Sequence, residues 1–317
     1  MDMKGAYVLI LVSAILVFGG TAAAVAFSEA NSDGRPTITV TMAWEQDMVA
    51  SIAGDGYNVV SMLQANTDPH ESYSQPNNVA YLYAADIYFL IGSGVEWEEV
   101  FLDDVRSNIP SSVRMVDLAE SIEYDPLPPV GHHHHGDEHD DDHEEHEHES
   151  DAHIWTSPTI VRKIASAVTE VLKGTYPEDA SVFDSNLSAY NGRIDAVDSQ
   201  AASLATALSD HGIDDMHIMV WHPAWQYLLE QYAASFGMGL EMIAIETNGE
   251  VEPSAAVAMI LDEGCDTVYV SVTDEGYENR SILEEQGISV RVVNPTPEDT
   301  LASVSDFLSY ILEDIGE

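Results

Sequence analysis

Cysteine and basic side chains are both scarce in this sequence of 317 residues. A single cysteine, Cys265, excludes a disulfide within the chain and a metal site built from several thiolates. Lys and Arg together number 10 against 56 Asp and Glu, which gives a formal net charge of −46. Such an acidic surface repels nucleic acid. The acidity favours adaptation to a high-salt habitat over a general attraction for cations.

A long uncharged segment lies close to the N-terminus. Lys4 precedes residues 6–27, which are apolar or small, and residues 24–26 (Ala-Val-Ala) fit a cleavage site. The same segment is long enough to span a bilayer if it is retained. We therefore expect a signal peptide or membrane anchor over residues 1–27. This places the protein outside the cytoplasm, at the outer face of the cytoplasmic membrane, and leaves cleavage open.

The remaining sequence divides into two α/β patterns separated by a different region. Strand and helix patterns alternate over residues 36–120 and again over 212–317, and helical periodicity covers 153–211. Residues 121–152 interrupt this order with a proline-rich break and a His/Asp/Glu-rich tract. The sequence predicts an α/β fold of two lobes with mainly parallel sheets, a long helical region between them and a ligand site in the cleft.

Eight of the 13 histidines lie in the acidic tract, interleaved with carboxylates. Imidazole is a good ligand for Zn, Cu or Ni, and carboxylates nearby reduce the cost of holding a dication. We predict a disordered loop with several weak, exchanging metal sites; a solvated acidic linker is the alternative. The loop histidines are His132, His133, His134, His135, His139, His143, His146 and His148.

Three other histidines stand at junctions between strands and helices. His70 lies in a turn after a strand, His153 precedes a helix, and His222 follows a strand. Open α/β sheets bind ligands at the carboxyl ends of their strands. Because these histidines come from both halves of the chain, we predict that they form one tight metal site. His211 and His217 lack such contexts and are interpreted as structural residues.

Four segments, taken in order and spacing, resemble the zinc/manganese solute-binding proteins of ABC importers. They are Asp-Pro-His-Glu-Ser-Tyr around His70, the His-rich loop, Asp-Ala-His-Ile-Trp-Thr-Ser-Pro around His153, and His-Pro-Ala-Trp-Gln-Tyr from His222. The resemblance covers the chain after about residue 36. It implies two lobes bridged by one long rigid helix, with His70, His153 and His222 as metal ligands. Histidine at the third position and the His-rich loop both point to zinc.

One segment departs from the family pattern. The family usually has an acidic ligand within Leu-Asp-Pro near the end of the chain, whereas this sequence has Val-Asn-Pro with Asn294 at that position. An amide oxygen is a poorer Zn²⁺ ligand than a carboxylate. The fourth ligand is therefore open between water, Glu71 and a carboxylate of the loop. We hypothesise that Asn294 lines the site without dominating the affinity.

The resemblance implies a monomeric, non-enzymatic receptor that delivers Zn²⁺ to an ABC permease and its ATPase. A cell-surface protein that sequesters metal or acts as an adhesin is one alternative. A zinc hydrolase is another, but the sequence contains neither His-Glu-x-x-His nor Gly-x-Ser-x-Gly. Three histidines do not by themselves distinguish Zn²⁺ from Cu²⁺ or Ni²⁺.

Deletion of residues 131–150 tests the division between weak loop sites and one tight site. We expect the deletion to lower the number of Zn²⁺ ions bound while one tight site persists, because the two kinds of site use different histidines. Calorimetric titration of the chain from residue 28, with and without the loop, measures both quantities. Loss of all tight binding would place the tight site in the loop instead.

Overall fold

The computed structural model describes most of the chain outside the N-terminal segment and the His-rich loop. The segment 1–27, Glu71 and the eight loop histidines lie outside the described residues. Within the described part, no helix has the length and apolar character needed to cross a membrane. The described residues are 34–70, 79–130, 150–246 and 251–316.

The first lobe is a four-stranded parallel sheet with crossover helices. Its strands are β1 (Thr37–Val40), β2 (Asn58–Ser61), β3 (Ile87–Leu90) and β4 (Arg114–Asp117). They lie in the order β2-β1-β3-β4, and both central strands, β1 and β3, are buried along their whole length. Parallel neighbours cannot be joined by a tight turn, so helices connect them. These helices are α1 (Ala43–Ala53), α2 (Val79–Ala84) and α3 (Glu96–Val105).

Two consecutive helices bridge the lobes. In α4 (Pro158–Thr175), the preceding Ser157 hydroxyl accepts the Ile160 N–H at 3.2 Å, which caps the first turn. The next helix, α5 (Ala180–His211), has 32 residues and therefore a length of about 48 Å. It ends at Gly212, whose left-handed backbone (φ 66°) suits glycine.

The second lobe repeats the topology of the first. Its sheet contains β5 (Asp215–Val220), β6 (Gly239–Ala244), β7 (Thr267–Val270) and β8 (Ser289–Val292). The order is β6-β5-β7-β8, and all neighbouring strands are parallel. The chain adds β6 on one side of β5 and then β7 and β8 on the other side, so the switch point lies between β5 and β7. Ligands bind at such switch points in open α/β sheets. The helices are α6 (Gln226–Phe236), α7 (Pro253–Asp262), α8 (Glu275–Glu278), α9 (Arg280–Glu285) and α10 (Thr300–Gly316).

One hydrophobic core runs through both lobes. It extends from Ile38 in β1, across the buried face of α5 at Ile194 and Leu204, to Phe307 in α10. A smaller cluster, which includes Trp221 and Ile260, lies within the second lobe. Because α5 contributes to the shared core, relative movement of the lobes would disturb close packing.

Polar contacts reinforce the junction between the lobes. Arg193 on α5 pairs with Asp47 on α1 at 3.2 Å and with Asp299, directly before α10, at 2.5 Å. The indole N–H of Trp155 donates to the Pro295 carbonyl at 2.6 Å. The prediction of two parallel-sheet lobes bridged by a long helix is thus confirmed, while the exact domain limits stay predictions.

Candidate metal centre

Three histidines from separate parts of the fold converge on one point. His70 lies in the loop after β2, His153 directly precedes a 3₁₀ turn leading to α4, and His222 follows β5. The Nε2 atom of His153 lies 3.0 Å from Nε2 of His70 and 3.2 Å from Nε2 of His222. Among the described residues, these are the one group of three or more potential ligands whose donor atoms all lie within 4.8 Å of each other.

His153 is held rigidly at the centre of the three rings. Both its backbone N–H and its Nδ1 contact Oδ1 of Asp151, at 2.9 and 2.7 Å. A carboxylate only accepts hydrogen bonds, so the ring proton of neutral His153 lies on Nδ1 and the Nε2 lone pair faces the other two rings. Asp151 is itself buried, and its second oxygen has no hydrogen-bond partner among the described residues. This carboxylate is therefore placed to orient the imidazole and increase its basicity.

Carboxylates also surround His222. Glu246 Oε2 lies 3.8 Å from its Nδ1. Burial alone would lower the pKa of His222, but the nearby carboxylates of Glu246, Asp274 and Asp68 raise it above its usual value. The site thus combines basic nitrogen atoms with a negative field, which favours a bound cation.

The three imidazoles open into a cavity of about 290 Å³. Burial raises the pKa of Asp274, one of its lining residues, to about 6. Three imidazole nitrogens with carboxylates around them are ligands suited to a borderline dication such as Zn²⁺. The other lining residues are Asp68, Pro69, Glu246, Thr273, Pro295 and Thr296.

Asn294 directly precedes Pro295, a lining residue, and its side chain forms hydrogen bonds with Asn66 and Thr296. Its Nδ2 donates to Asn66 Oδ1 at 2.7 Å, and its Oδ1 accepts the Thr296 N–H at 2.9 Å. Asn66 N–H in turn donates to the Thr296 carbonyl at 2.8 Å. The predicted role of Asn294 in lining the site stays a prediction, and Glu71 lies outside the described residues.

The sequence analysis did not single out Asp274, Glu246 or Asp151 as site residues. Asp274 and Glu246 follow strands β7 and β6, at the same edge of the sheet as His222. The rule that ligands gather at the carboxyl ends of parallel strands would have found both, once the strand order was known. Asp151 had a local signal, because it stands two residues before His153.

Comparison with known proteins identifies a family for nearly all of the described chain. The family model described as "ZnuA: Zinc-uptake complex component A periplasmic" matches residues 38–315. This chain belongs to that family. The match includes all three histidines of the candidate metal centre and both lobes of the ZnuA-family fold.

Individual proteins and solved structures are similar to this ZnuA-family chain over most of its length. The zinc-binding lipoprotein AdcA of Streptococcus pneumoniae is 29% identical over 295 residues, covering 87% of this chain and 54% of AdcA. The chain therefore spans about half the length of that curated relative. The crystal structure of a ZnuA deletion mutant with zinc bound has a TM-score of 0.68 at 24% identity, covering 88% of this chain and 97% of that one. Zn(II)-bound AdcA from Streptococcus pneumoniae gives 0.67 at 22% identity, covering 90% and 58%.

Gly276 provides a test of the packing behind His222. A Cβ atom at this position would lie 2.3 Å from Cε3 of the buried Trp221, the residue before His222. We expect Gly276→Ala to lower the free energy of unfolding by about 1–3 kcal/mol, because the indole must move within a close-packed core. Urea unfolding measures the change.

Gly192→Ala is the matched control, because it makes the same change in α5 where nothing lies within 4 Å of the added carbon. Helix propensity predicts a gain of up to about 1 kcal/mol there. Equal stabilities of the two variants would contradict the described packing around Trp221.

Proposed function

We propose that this chain is an extracytoplasmic receptor that binds Zn²⁺ between its two lobes and delivers it to an ABC permease driven by an ATPase. The observation that carries this proposal is the convergence of the Nε2 atoms of His70, His153 and His222 within 3.0–3.2 Å of the central ring. Three imidazole nitrogens this close form a set of donor atoms that can hold one metal ion. The family assignment, to a component of zinc uptake, supports the same function.

Zinc is the metal that the ligand chemistry and the relatives support. Imidazole nitrogen suits Zn²⁺ in tetrahedral sites, whereas carboxylate-rich sites suit harder ions such as Mn²⁺. The relative AdcA is named a zinc-binding lipoprotein, and zinc is bound in two similar structures. The His-rich loop would raise the local zinc concentration beside the cleft.

A carrier role fits the arrangement of the carboxylates better than hydrolysis does. A zinc hydrolase needs a general base beside a metal-bound water. Here Asp151 and Glu246 face the Nδ1 atoms of His153 and His222, on the ring edge away from the convergent nitrogens. These positions orient the ligands and place neither oxygen beside a metal-bound water.

Substitution of the central histidine tests the binding step. We expect His153→Ala to weaken the tight Zn²⁺ site by more than about 100-fold, because loss of a ligand costs more than loss of its supporting partner. Competition with a chelator of known affinity measures the change. His211→Ala, an exposed histidine at the end of α5, is the matched control and should retain wild-type affinity.

Uptake measurements separate the receptor from its alternatives. Radioactive zinc uptake into cells that contain the permease and ATPase should depend on this chain and fall with His153→Ala. Zinc binding without any effect on uptake would favour the sequestering or adhesin-type protein. Zinc-dependent hydrolysis of an ester or phosphoester panel would instead support the enzyme.

Zinc affinity should depend strongly on pH. Protons compete with the metal for imidazole, so affinity falls as the pH drops through the pKa values of the ligands. Because carboxylates raise the pKa of His222, this fall should begin at a higher pH than for an ordinary histidine of pKa 6.5. Chelator competition from about pH 8 to about pH 5 measures the profile.

Glu246→Gln removes one of the charges that raise the pKa of His222. The variant should therefore shift the loss of affinity toward lower pH, whatever its affinity at alkaline pH. An affinity that stays constant across the range would contradict histidine ligation.

A further inference from the structure

Four carboxylates lie near the histidines, and two of them face the Nδ1 atoms of the rings. Asp151 contacts Nδ1 of His153 at 2.7 Å, and Glu246 faces Nδ1 of His222 at 3.8 Å. Since Nδ1 and Nε2 lie on different edges of an imidazole, the oxygens Asp151 Oδ1 and Glu246 Oε2 lie on the ring edges away from the point where the Nε2 atoms meet. They orient the ligands and do not complete the coordination shell.

A third carboxylate, Asp68, organises the loop that carries His70. Its Oδ1 accepts the backbone N–H of His70 at 2.8 Å, which closes a tight turn immediately before the ligand. Asp68 is therefore engaged with the backbone of the loop that presents His70.

Asp274 has a different position and a different set of partners. It follows β7, the strand adjacent to β5, and lines the cavity that contains all three histidines. The charged side chains that act on it are His222, Glu246 and Asp68. Its carboxylate is not part of the group of donor atoms within 4.8 Å of one another that the three histidines form. Its Oδ2 accepts the Ser271 N–H at 2.6 Å. Among the described residues, this is the one hydrogen bond to its carboxylate, and Oδ1 makes none.

We propose that Asp274 supplies the fourth, anionic ligand to the metal held by His70, His153 and His222; this inference rests on the proposed function. The hydrogen bond from Ser271 engages Oδ2, and Oδ1 would move toward the three histidine nitrogens when the metal binds. Asn294, the neighbouring amide, is bonded to Asn66 and Thr296 and is not among the residues lining the cavity. The carboxyl end of β7 thus completes a site whose other ligands come from three further segments.

A carboxylate in the fourth position has a chemical consequence that water does not have. Zinc with three histidines and water generates a reactive hydroxide near neutral pH, as in zinc hydrolases. Coordination by Asp274 would fill that position and lower the net charge of the complex. The site would then hold Zn²⁺ as cargo without activating a water molecule.

Asp274→Asn in the full chain tests the assignment. The Asn oxygen can still accept the Ser271 N–H, so the turn should be retained, and thermal unfolding of the metal-free protein checks that it is. We expect Zn²⁺ affinity to fall by about 10-fold or more, since loss of a residue that only hydrogen-bonds to a metal ligand already costs about 10- to 100-fold. Asp262→Asn, which removes the same charge from an exposed site on α7, should leave the affinity unchanged.

Cobalt spectroscopy separates ligation from a general charge effect. With half an equivalent of Co²⁺, so that the tight site loads before the loop, Asp274→Asn should change the energy and intensity of the visible d–d bands. Asp262→Asn should leave the spectrum as in the wild type. A wild-type spectrum and affinity in Asp274→Asn would overturn the assignment. A spectrum that changed in Glu246→Gln but not in Asp274→Asn would overturn it as well.

These outcomes are distinct from failure of the proposed function. If the wild-type chain bound no Zn²⁺ tightly, or if His153→Ala bound as well as the wild type, the receptor itself would be disproved. If His153→Ala lost binding while Asp274→Asn kept it, the receptor would stand and only the fourth ligand would be wrong.

Discussion

The structure depends on bringing three neutral imidazoles into contact at their Nε2 atoms. Metal binding requires all three Nε2 lone pairs to be directed at one point, where they repel one another until a cation lies between them. The rings therefore need support from outside. Asp151 supplies the support by fixing the tautomer and orientation of the central His153. The two lobes supply the other two rings, because His70 lies in the loop after β2 and His222 follows β5. Local hydrogen bonding and global topology therefore act on the same few atoms.

The shortage of basic residues shapes how the acidic chain is held together. Several of the few cations bridge two carboxylates: Arg193 joins Asp47 to Asp299, and Arg162 contacts Asp195 and Asp198. Partly exposed ion pairs contribute little individually. Their value here is that each cation offsets repulsion between acidic groups that the fold has brought together. No comparable cation lies among the described residues lining the metal cavity, which keeps its negative field for a metal ion.

The sequence predicted the fold because alternating strand and helix patterns are local and indicate parallel sheets. The three histidines belong to two different sheets and a helix start, and their meeting was predicted from their junction positions together with the family resemblance. The position of Asp274 could not be predicted in this way, because sequence order does not show that β7 lies beside β5. The hydrogen bond between Asn294 and Asn66 joins residues 228 positions apart and leaves no local signal. The arrangement of residues around the three histidines thus depends on nonlocal contacts that the sequence does not reveal.

The shared hydrophobic core has a thermodynamic consequence. Because the same cluster extends from Ile38 through α5 to Phe307, we expect the two lobes to unfold as one cooperative unit. A metal ion bound at their junction is absent from the unfolded chain, so its binding free energy adds to the stability of the whole unit. Zinc would therefore protect segments far from the cleft against proteolysis, and the empty receptor would be removed more readily than the loaded one.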